Sequence, residues 1–264
     1  MTDYRIIQTD FYRDGKKIDG QLYLLNVEKA PLVIFSHGFG GNRTRCIDYA
    51  ETFAANRIAS YLFDFIGGGD NILSDGTMLE MSVLTEVKDL ETVLDGLRDH
   101  PQIDPERVFL HGRSQGGYVS MYVAGDRSDE IRGLILLYPA FVLQKMAFDS
   151  YKDKDIPERI TMLESTVSDL YVRDLLKTDI YAQIPKYKGK TLIMHGDADQ
   201  IVDIQGTFDV LDQFEEADFY VMKGSGHGFE GENNRRAISL ALNFIKETFK
   251  GFWDRLFIFL RYGS

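Results

Sequence analysis

Residues 107–118 read Arg-Val-Phe-Leu-His-Gly-Arg-Ser-Gln-Gly-Gly-Tyr, and no other segment says as much about the fold. An apolar run at residues 108–110 leads into the pattern Gly-x-Ser-x-Gly, and helix-compatible residues follow it. A strand, a tight turn and a helix in this order hold a serine above the edge of a parallel sheet. The glycines allow the chain to adopt the strained turn. The segment therefore predicts a nucleophilic Ser114, and the alternative is a glycine-rich turn whose serine caps the next helix.

Short apolar runs alternate with helix-length periodic segments along the rest of the chain. Strands are predicted at residues 31–35, 58–65, 107–110, 134–137, 191–194 and 219–222, after an opening antiparallel pair at residues 4–12 and 17–25. Helices are predicted at residues 83–98, 115–125, 204–214 and 233–249. This alternation is typical of a parallel α/β architecture.

The composition is that of an ordinary globular protein. The 264 residues weigh 30.2 kDa, which fits one large domain or two small ones. Hydrophobic residues make up 44% and charged residues 27%, which excludes the disordered, collagen-like and coiled-coil classes. The formal net charge of −11 repels phosphate backbones, so general nucleic-acid binding is not expected.

Signals for targeting and for cofactors are not found in the sequence. The N-terminus has no basic stretch followed by an apolar one, and no apolar run approaches the ~18 residues that span a bilayer. Cys46 is the only cysteine, which fits a reducing compartment. Zinc-site spacings, phosphate loops and dinucleotide fingerprints do not occur. We therefore expect a cytoplasmic protein without a metal or a cofactor.

Two segments stand apart from the alternating pattern. Residues 141–188 carry many charges and scattered aromatic residues without a clear strand, and a structureless loop of this length is improbable. We expect a mostly helical insertion that serves as a lid on a core formed by residues 1–140 and 189–250. Residues 251–264 form an apolar extension, which we expect to pack on its own domain or on a second copy. A homodimer is therefore possible, and stable membrane insertion is not expected.

A nucleophilic serine needs a base that takes its proton, and the fold that uses this turn orders the residues serine, acid, histidine. Only His195 and His227 follow Ser114 in that order. His227 lies in a glycine-rich turn after the last predicted strand, from which an imidazole reaches the serine. His195 ends a strand and precedes the acids of its own loop, so we interpret it as a buried structural histidine. His227 is therefore the predicted base.

The acid is expected after the penultimate strand, where Asp197 and Asp199 are both available. Asp199 is preferred because it lies deeper in the loop, while Asp197 has the position of a turn-forming residue. The reaction also needs two N–H donors for the oxyanion that develops. The N–H of Gln115, directly after the serine, is one candidate, and the N–H of Phe39 in the glycine-rich loop after residues 31–35 is the other.

These motifs together resemble the α/β-hydrolase superfamily and are most similar to the bacterial cinnamoyl (feruloyl) esterases. The resemblance covers about residues 4–249 and rests on His37-Gly38-Phe39-Gly40-Gly41-Asn42, Gly112-Arg113-Ser114-Gln115-Gly116-Gly117, His195-Gly196-Asp197-x-Asp199-x-x-Val202 and Gly226-His227. It implies a mostly parallel eight-stranded sheet flanked by helices, with a helical lid insertion. It also implies a Ser114, Asp199 and His227 triad, with Phe39 and Gln115 as the oxyanion hole.

In the cinnamoyl esterases the insertion covers an aromatic acyl pocket, and a tyrosine within it contacts the phenolic ring. Tyr171 matches that position, and the alternative is a tyrosine that packs within a helical lid. The chain departs from the family pattern at three points, which are Gly67-Gly68-Gly69 after the fourth predicted strand, Phe141-Val142-Leu143 in place of polar phenol-binding residues, and Arg113 before the serine.

The expected function is that of a serine esterase for small or aromatic acyl esters, with a small-molecule ester as its partner. A lipase-like or thioesterase activity on acyl chains is the first alternative. A catalytically silent binding module is the second. A peptidase is less favoured, because peptidases of this fold usually carry an additional domain that these residues do not suggest.

Overall fold

A computed structural model describes the backbone of residues 4–262 and the side chains of residues 4–249. The described residues form twelve strands: β1 (Tyr4–Gln8), β2 (Phe11–Arg13), β3 (Lys16–Ile18), β4 (Gly20–Leu25), β5 (Ala30–Ser36), β6 (Ala59–Phe63), β7 (Ile103–Arg113), β8 (Gly133–Leu137), β9 (Arg159–Met162), β10 (Ser165–Ser168), β11 (Lys190–Gly196) and β12 (Glu216–Met222). They also form eight helices: α1 (Ile47–Ala55), α2 (Val83–Arg98), α3 (Gln115–Asp126), α4 (Leu143–Tyr151), α5 (Asp169–Leu175), α6 (Ile180–Gln183), α7 (Gln205–Phe208) and α8 (Gly231–Tyr262).

Eight of the strands build one mixed sheet in the order β1-β4-β6-β5-β7-β8-β11-β12. The pairs β1–β4 and β4–β6 are antiparallel, and every pair from β6 to β12 is parallel. The predicted mostly parallel eight-stranded sheet is thus confirmed. Since parallel strands share one carboxyl edge, the loops that follow β5, β7, β8, β11 and β12 meet there.

The sheet is buried on both faces, as strand β5 illustrates. Its seven residues are all buried, and their side chains alternate between two apolar clusters. Leu32 and Ile34 face the cluster that α2 and α3 complete, while Val33 and Phe35 face the cluster that α1 and α8 complete. The continuous apolar strands in the sequence follow from this double cover.

Helix α2 forms over the predicted residues because local and tertiary signals agree. The Ser82 hydroxyl accepts from the N–H of Thr85, and the Thr85 hydroxyl reaches back to Ser82, which is a capping box. Leu90, Leu94 and Leu97 follow at helical spacing and are buried.

The helix predicted over residues 204–214 is wrong in extent. The chain forms only the single turn α7 and a separate 3-10 turn at Leu211–Gln213. Gly206 packs so closely against Val142 that a Cβ there would lie 2.3 Å from a valine methyl carbon, and the Thr207 hydroxyl is bonded to His195. These tertiary contacts outweigh a weak helical pattern that contains glycine. Helix α1 was not predicted. It packs on the face of the sheet opposite α2 and α3.

The insertion at residues 141–188 contains α4, α5 and α6 but also a hairpin of β9 and β10. The prediction that this stretch contains no strand is therefore wrong. Leu163 and Glu164 connect the two strands with φ values of 46° and 68°. A two-residue turn of this kind usually shows Asn-Gly or Asp-Gly, so Leu-Glu gives no recognisable signal.

Helix α8 continues to Tyr262 near the end of the chain. The side chains of the predicted apolar extension, residues 251–264, lie outside the described residues, so that interpretation stays a prediction. Within the part of the chain that the structure describes, no helix has the length and apolar character to cross a bilayer.

Candidate active site

Ser114 lies on a strained turn between β7 and α3. Its φ of 53° and ψ of −121° are unusual for a residue with a side chain, and its N–H donates to the carbonyl of Leu137 over 3.0 Å. The turn requires glycine on both sides. A Cβ at Gly112 would lie 2.3 Å from the Gly116 carbonyl oxygen, and one at Gly116 would lie 2.3 Å from the His37 carbonyl oxygen. This close packing places Ser114 at the carboxyl edge of the sheet.

Three predicted side chains are joined by hydrogen bonds at this edge. The Oγ atom of Ser114 lies 2.9 Å from Nε2 of His227, and Nδ1 of His227 lies 2.8 Å from Oδ2 of Asp199. An ionised carboxylate only accepts, so Nδ1 carries the imidazole proton. Nε2 is then free to accept the hydroxyl proton of Ser114. The structure thus brings together three residues that are 85 and 28 positions apart along the chain.

Asp199 is held by its own loop as well as by His227. Its Oδ1 atom accepts from the N–H groups of Ile201 and Val202, both at 2.9 Å, and its side chain is fully buried. Burial by itself raises the pKa of the Asp199 carboxyl, but hydrogen bonds from His195 and His227 and from these two amides outweigh it. The pKa therefore lies well below its usual range, and the carboxyl is ionised at neutral pH.

The alternative residues, Asp197 and His195, have other partners. Oδ1 of Asp197 accepts from the N–H of Gly224 over 2.6 Å, which fixes the turn between β12 and His227. His195 is completely buried, with Nε2 2.9 Å from the Val202 carbonyl and Nδ1 2.8 Å from the Thr207 hydroxyl. The structure therefore agrees with a turn-forming Asp197 and a structural His195.

The loop that contains Phe39 lies directly against the serine. A Cβ on Gly38 would approach Cβ of Ser114 to 3.0 Å. The N–H of Gly40 donates to the carbonyl of Gly68 over 3.0 Å, and Gly40 also forms a bridge with Gly69. A Cβ on Gly69 would lie 2.3 Å from the Gly41 carbonyl oxygen, so the departure Gly67-Gly68-Gly69 allows the two loops to touch.

A cavity of about 570 Å³ opens over Ser114 and His227. Apolar side chains from five loops line it, namely Phe39, Tyr138, Leu163, Ile201 and Phe229. Leu163 belongs to the turn of the β9–β10 hairpin and is 56% exposed, and Ile201 is 49% exposed. Exposed apolar side chains around Ser114 suit an apolar ligand group.

Tyr171 is buried beside this cavity and does not line it. Its hydroxyl donates to Oε1 of Gln115 over 2.5 Å, and its ring meets the ring of Phe39 edge to face at 5.7 Å. The predicted contact between Tyr171 and a substrate stays a prediction, and the observed contacts are with the two residues assigned to the oxyanion hole.

Two further residues at the site, Tyr138 and Arg113, were not assigned a role from the sequence. Tyr138 has a φ of 39° and its ring lies 4.8 Å from the imidazole of His227. Arg113 donates through Nε to the Tyr138 hydroxyl over 2.8 Å and also bonds to the Arg45 carbonyl, with its guanidinium stacked over Tyr49. The place of Tyr138 at the carboxyl end of a parallel strand is the signal that could have identified it.

Among the described residues, no group of three or more His, Cys, Asp or Glu side chains is placed to bind an ion. The side chains of Ser114, His227 and Asp199 place an alcohol, an imidazole and a carboxylate in line.

A family model described as the prolyl oligopeptidase family matches residues 83–252, and the chain belongs to this family of α/β hydrolases. The match spans most of the core from α2 onward, including the serine turn and the loops of Asp199 and His227. It confirms the α/β-hydrolase class predicted from the motifs.

Individual relatives are more distant. The quorum-quenching protein AidA of Acinetobacter baumannii is 30% identical over 113 residues, which are 42% of this chain and 36% of that protein. The thiohydrolase aneE of Aspergillus aculeatus is 33% identical over 113 residues, which are 42% and 34%. These matches span about a third of each relative's length.

The structure of Est1E from Butyrivibrio proteoclasticus with bound ferulic acid superimposes with a TM-score of 0.84. The superposition covers 92% of this chain and 99% of that one, at 24% sequence identity. At this identity the likeness establishes the shared fold.

Proposed function

We propose that the protein hydrolyses carboxylic esters through a covalent acyl-enzyme. The observation that carries the proposal is the hydrogen-bonded line from Ser114 through His227 to Asp199, at 2.9 and 2.8 Å. A hydroxyl, an imidazole and a carboxylate in this order are the parts of a serine nucleophile with its base and orienting acid.

In the first step, Oγ of Ser114 attacks the ester carbonyl carbon while Nε2 of His227 takes the hydroxyl proton. The carbonyl π electrons move to the oxygen, and a tetrahedral oxyanion forms. Asp199 keeps the proton of His227 on Nδ1 and stabilises the imidazolium, and its lowered pKa means that it stays ionised.

The oxyanion needs donors that are already in place. We assign this role to the N–H groups of Phe39 and Gln115. Gln115 begins α3, and the first N–H groups of a helix have no acceptor inside it. The positive end of the α3 dipole adds to the attraction. Each such donor contributes about 2.7–4 kcal/mol to stabilisation of the transition state.

The intermediate then collapses and the C–O bond to the alcohol breaks. His227 gives its proton to the departing alkoxide, which leaves as the alcohol, and Ser114 keeps the acyl group. Water attacks the acyl-enzyme in the same way, with His227 as base, and the carboxylic acid and the free serine are regenerated.

We propose small or aromatic acyl esters as the substrate class. The apolar lining from Phe39, Leu163 and Ile201 supports this choice. So does the likeness of the fold to Est1E, whose structure holds ferulic acid. We also propose that residues 141–188 cover the core formed by residues 1–140 and 189–250, because Leu163 of this insertion reaches the cavity.

We further propose that the protein acts in the cytoplasm. Cys46 is a free, buried thiol, and a reducing compartment keeps it so. A homodimer through residues 251–264 remains a prediction from their apolar sequence.

Labelling with a fluorophosphonate probe tests the proposed chemistry. The probe phosphonylates an activated serine, so the wild-type protein is expected to react with one equivalent and Ser114→Ala with none. Loss of Ser114 should also lower kcat by about 10⁶-fold. Failure of the wild-type protein to react would instead indicate the silent binding module.

A substrate panel then tests the class of bond and acyl group. It contains methyl ferulate, p-nitrophenyl esters from acetate to palmitate, an acyl thioester and a prolyl p-nitroanilide. We expect the highest kcat/KM for the aromatic ester or for short acyl chains. A preference for palmitate or for the thioester would favour the lipase-like or thioesterase alternative, and a preference for the anilide would favour a peptidase.

A further inference from the structure

We propose that Tyr171 is a positioning residue that holds both oxyanion donors, Phe39 and Gln115, at their required separation. The inference rests on the proposed esterase function and adds a residue to it. It assigns Tyr171 an action through the protein rather than a contact with substrate. Glu86, to which no role was assigned from the sequence, supports the other end of the Gln115 side chain.

The side chain of Gln115 is fixed at both ends inside the protein. Its Oε1 accepts from the Tyr171 hydroxyl at 2.5 Å, and its Nε2 donates to Oε2 of Glu86 at 2.8 Å. Tyr171, Gln115 and Glu86 are all buried, each 1% exposed or less. A buried amide that is hydrogen-bonded at both ends is held in place, since moving it away would break two hydrogen bonds inside the protein.

Only one of the two carboxyl oxygens of Glu86 takes part in this support. Its other oxygen, Oε1, has no hydrogen-bond partner, and no cation pairs with the carboxyl among the described residues. Burial is the main cause that raises the pKa of Glu86 well above its ordinary value, which favours the neutral carboxyl. Loss of Tyr171 leaves Oε1 of Gln115 unpaired, and loss of Glu86 leaves its Nε2 with only the sulfur of Met81, at 3.7 Å.

The same tyrosine also supports the second donor. The ring of Tyr171 meets the ring of Phe39 edge to face, with the ring centres 5.7 Å apart. Its helix, α5, is tied to the start of α2 because the Ser82 hydroxyl donates to Oδ2 of Asp174 over 2.6 Å. Helix α2 also carries Glu86, so Tyr171 and Glu86 are mounted on connected elements.

This geometry has a consequence for the transition state. The two N–H groups come from separate loops, and the oxyanion needs both within hydrogen-bond distance at once. A side chain that touches both residues limits how far they move apart. Since a misplacement of about 1 Å costs up to 10²-fold in rate, a loosened donor pair should lower kcat while leaving substrate binding intact.

Variants at Tyr171 and Glu86 test the proposal. Tyr171→Phe keeps the ring but removes the hydroxyl, and we expect kcat to fall about tenfold with KM changed by less than a factor of about two. Tyr171→Leu removes the ring as well and should cost about 100-fold. Glu86→Leu should match Tyr171→Phe, whereas Glu86→Gln keeps an acceptor for Gln115 and should retain kcat within about threefold.

The rates are normalised to the number of reactive serines, which fluorophosphonate titration gives. Tyr187→Phe is the matched control, because Tyr187 is equally buried and its hydroxyl bonds to the carbonyls of Ile131 and Lys190, away from Ser114. We expect it to lower Tm and leave kcat per reactive serine unchanged.

A trifluoromethyl ketone separates positioning from general structural damage. Its carbonyl carbon forms a bond with Oγ of Ser114, the π electrons move to the oxygen, and the serine proton passes to His227. The resulting oxyanion needs both donors, so its inhibition constant should rise in parallel with the loss of kcat/KM. On a Gln115→Met background, which keeps the N–H but lacks the amide, Tyr171→Phe should cause little further loss.

Three results would overturn the proposal. The first is that both Tyr171→Phe and Glu86→Leu keep the kcat and the inhibition constant of the wild-type protein. Another is a raised KM with unchanged kcat in Tyr171→Phe, which would assign the hydroxyl to substrate binding. The third is a full additional loss from Tyr171→Phe on the Gln115→Met background. Absence of probe labelling in the wild-type protein would instead contradict the proposed esterase function itself, which distinguishes that failure from a failure of the role of Tyr171.

Discussion

The imidazole of His195 lies 3.3 Å from the carboxylate of Asp199, whose same oxygen also contacts His227. Two histidines therefore converge on one buried carboxylate, one from inside the protein and one from the cavity. The inner histidine is locked by Thr207 and Val202, so it orients the carboxylate that in turn orients His227.

Asp199→Asn should lower kcat by about 10⁴-fold with little change in Tm, because an amide NH₂ opposite Nδ1 of His227 favours the wrong tautomer. Asp197→Asn is the control in the same loop, since asparagine still accepts from Gly224. Steady-state kinetics on p-nitrophenyl acetate compare the two. Equal losses in both variants would contradict the assignment of Asp199 as the acid.

Acid stability should depend on His111, a buried histidine whose two ring nitrogens have no hydrogen-bond partner among the described side chains. Burial, with the charge of Arg113 as a smaller cause, lowers the pKa of His111 to about 3. The unfolded chain takes up this proton near pH 6.5, so stability from this group is complete above pH 6.5 and is lost as the pH falls, by ~1.4 kcal/mol per unit.

His111→Phe removes this proton uptake. We expect the difference in unfolding free energy between pH 7 and pH 4.5 to shrink by about 2–3 kcal/mol, measured by urea denaturation. His100→Gln, at a partly exposed position, serves as the comparison. An unchanged pH dependence in His111→Phe would show that His111 is protonated in the folded state.

Fold stability should depend strongly on Arg43. Its guanidinium lies 2.6 Å from both Asp19 and Asp64, and all three side chains are buried. Arg43→Met leaves Asp64 without its cation and Asp19 with only Lys17, and we expect a loss of about 3–5 kcal/mol in unfolding free energy. Lys186→Met breaks the exposed pair with Asp126 and should cost less than about 1 kcal/mol. Similar losses in both variants would contradict the prediction.

Acyl-chain preference should depend on Leu163 at the turn of the hairpin. Leu163→Ala removes apolar contact area from the cavity, and we expect KM for p-nitrophenyl hexanoate to rise about fivefold, with the acetate ester changed by less than about twofold. Leu73→Ala is the control, because Leu73 is similarly exposed but does not line the cavity. An equal effect on both esters would place Leu163 away from the acyl group.

The sheet and the hydrogen-bonded line of Ser114, His227 and Asp199 are predictable from local sequence. The glycines around Ser114 reflect the tight turn itself, and the loops of Asp199 and His227 follow strands whose apolar character is visible. Each residue is defined by its distance from the end of a strand. Their convergence then follows from the rule that parallel strands share one carboxyl edge.

The remaining features depend on contacts between distant segments. The role of Tyr171 depends on how the insertion packs against α2 and α3, and nothing near position 171 in the sequence reports Gln115. The hairpin at residues 159–168 turns at Leu163 and Glu164 against the usual residue preference. Tyr138 adopts a positive φ directly before a proline, a position where extended backbone is expected. Tertiary packing overrides the local preference in each case.

The glycines at positions 68 and 69 set a limit for anyone who wishes to redesign the cavity. A methyl group on Gly68 would meet the imidazole of His37 at 2.9 Å, and one on Gly69 would meet the Gly41 carbonyl. The loop of Gly68 and Gly69, packed against the loop that contains Phe39, therefore has no room for larger side chains. Changes in substrate preference are therefore better introduced at the exposed turn of the β9–β10 hairpin. Larger or smaller side chains fit there without disturbing the glycine loops.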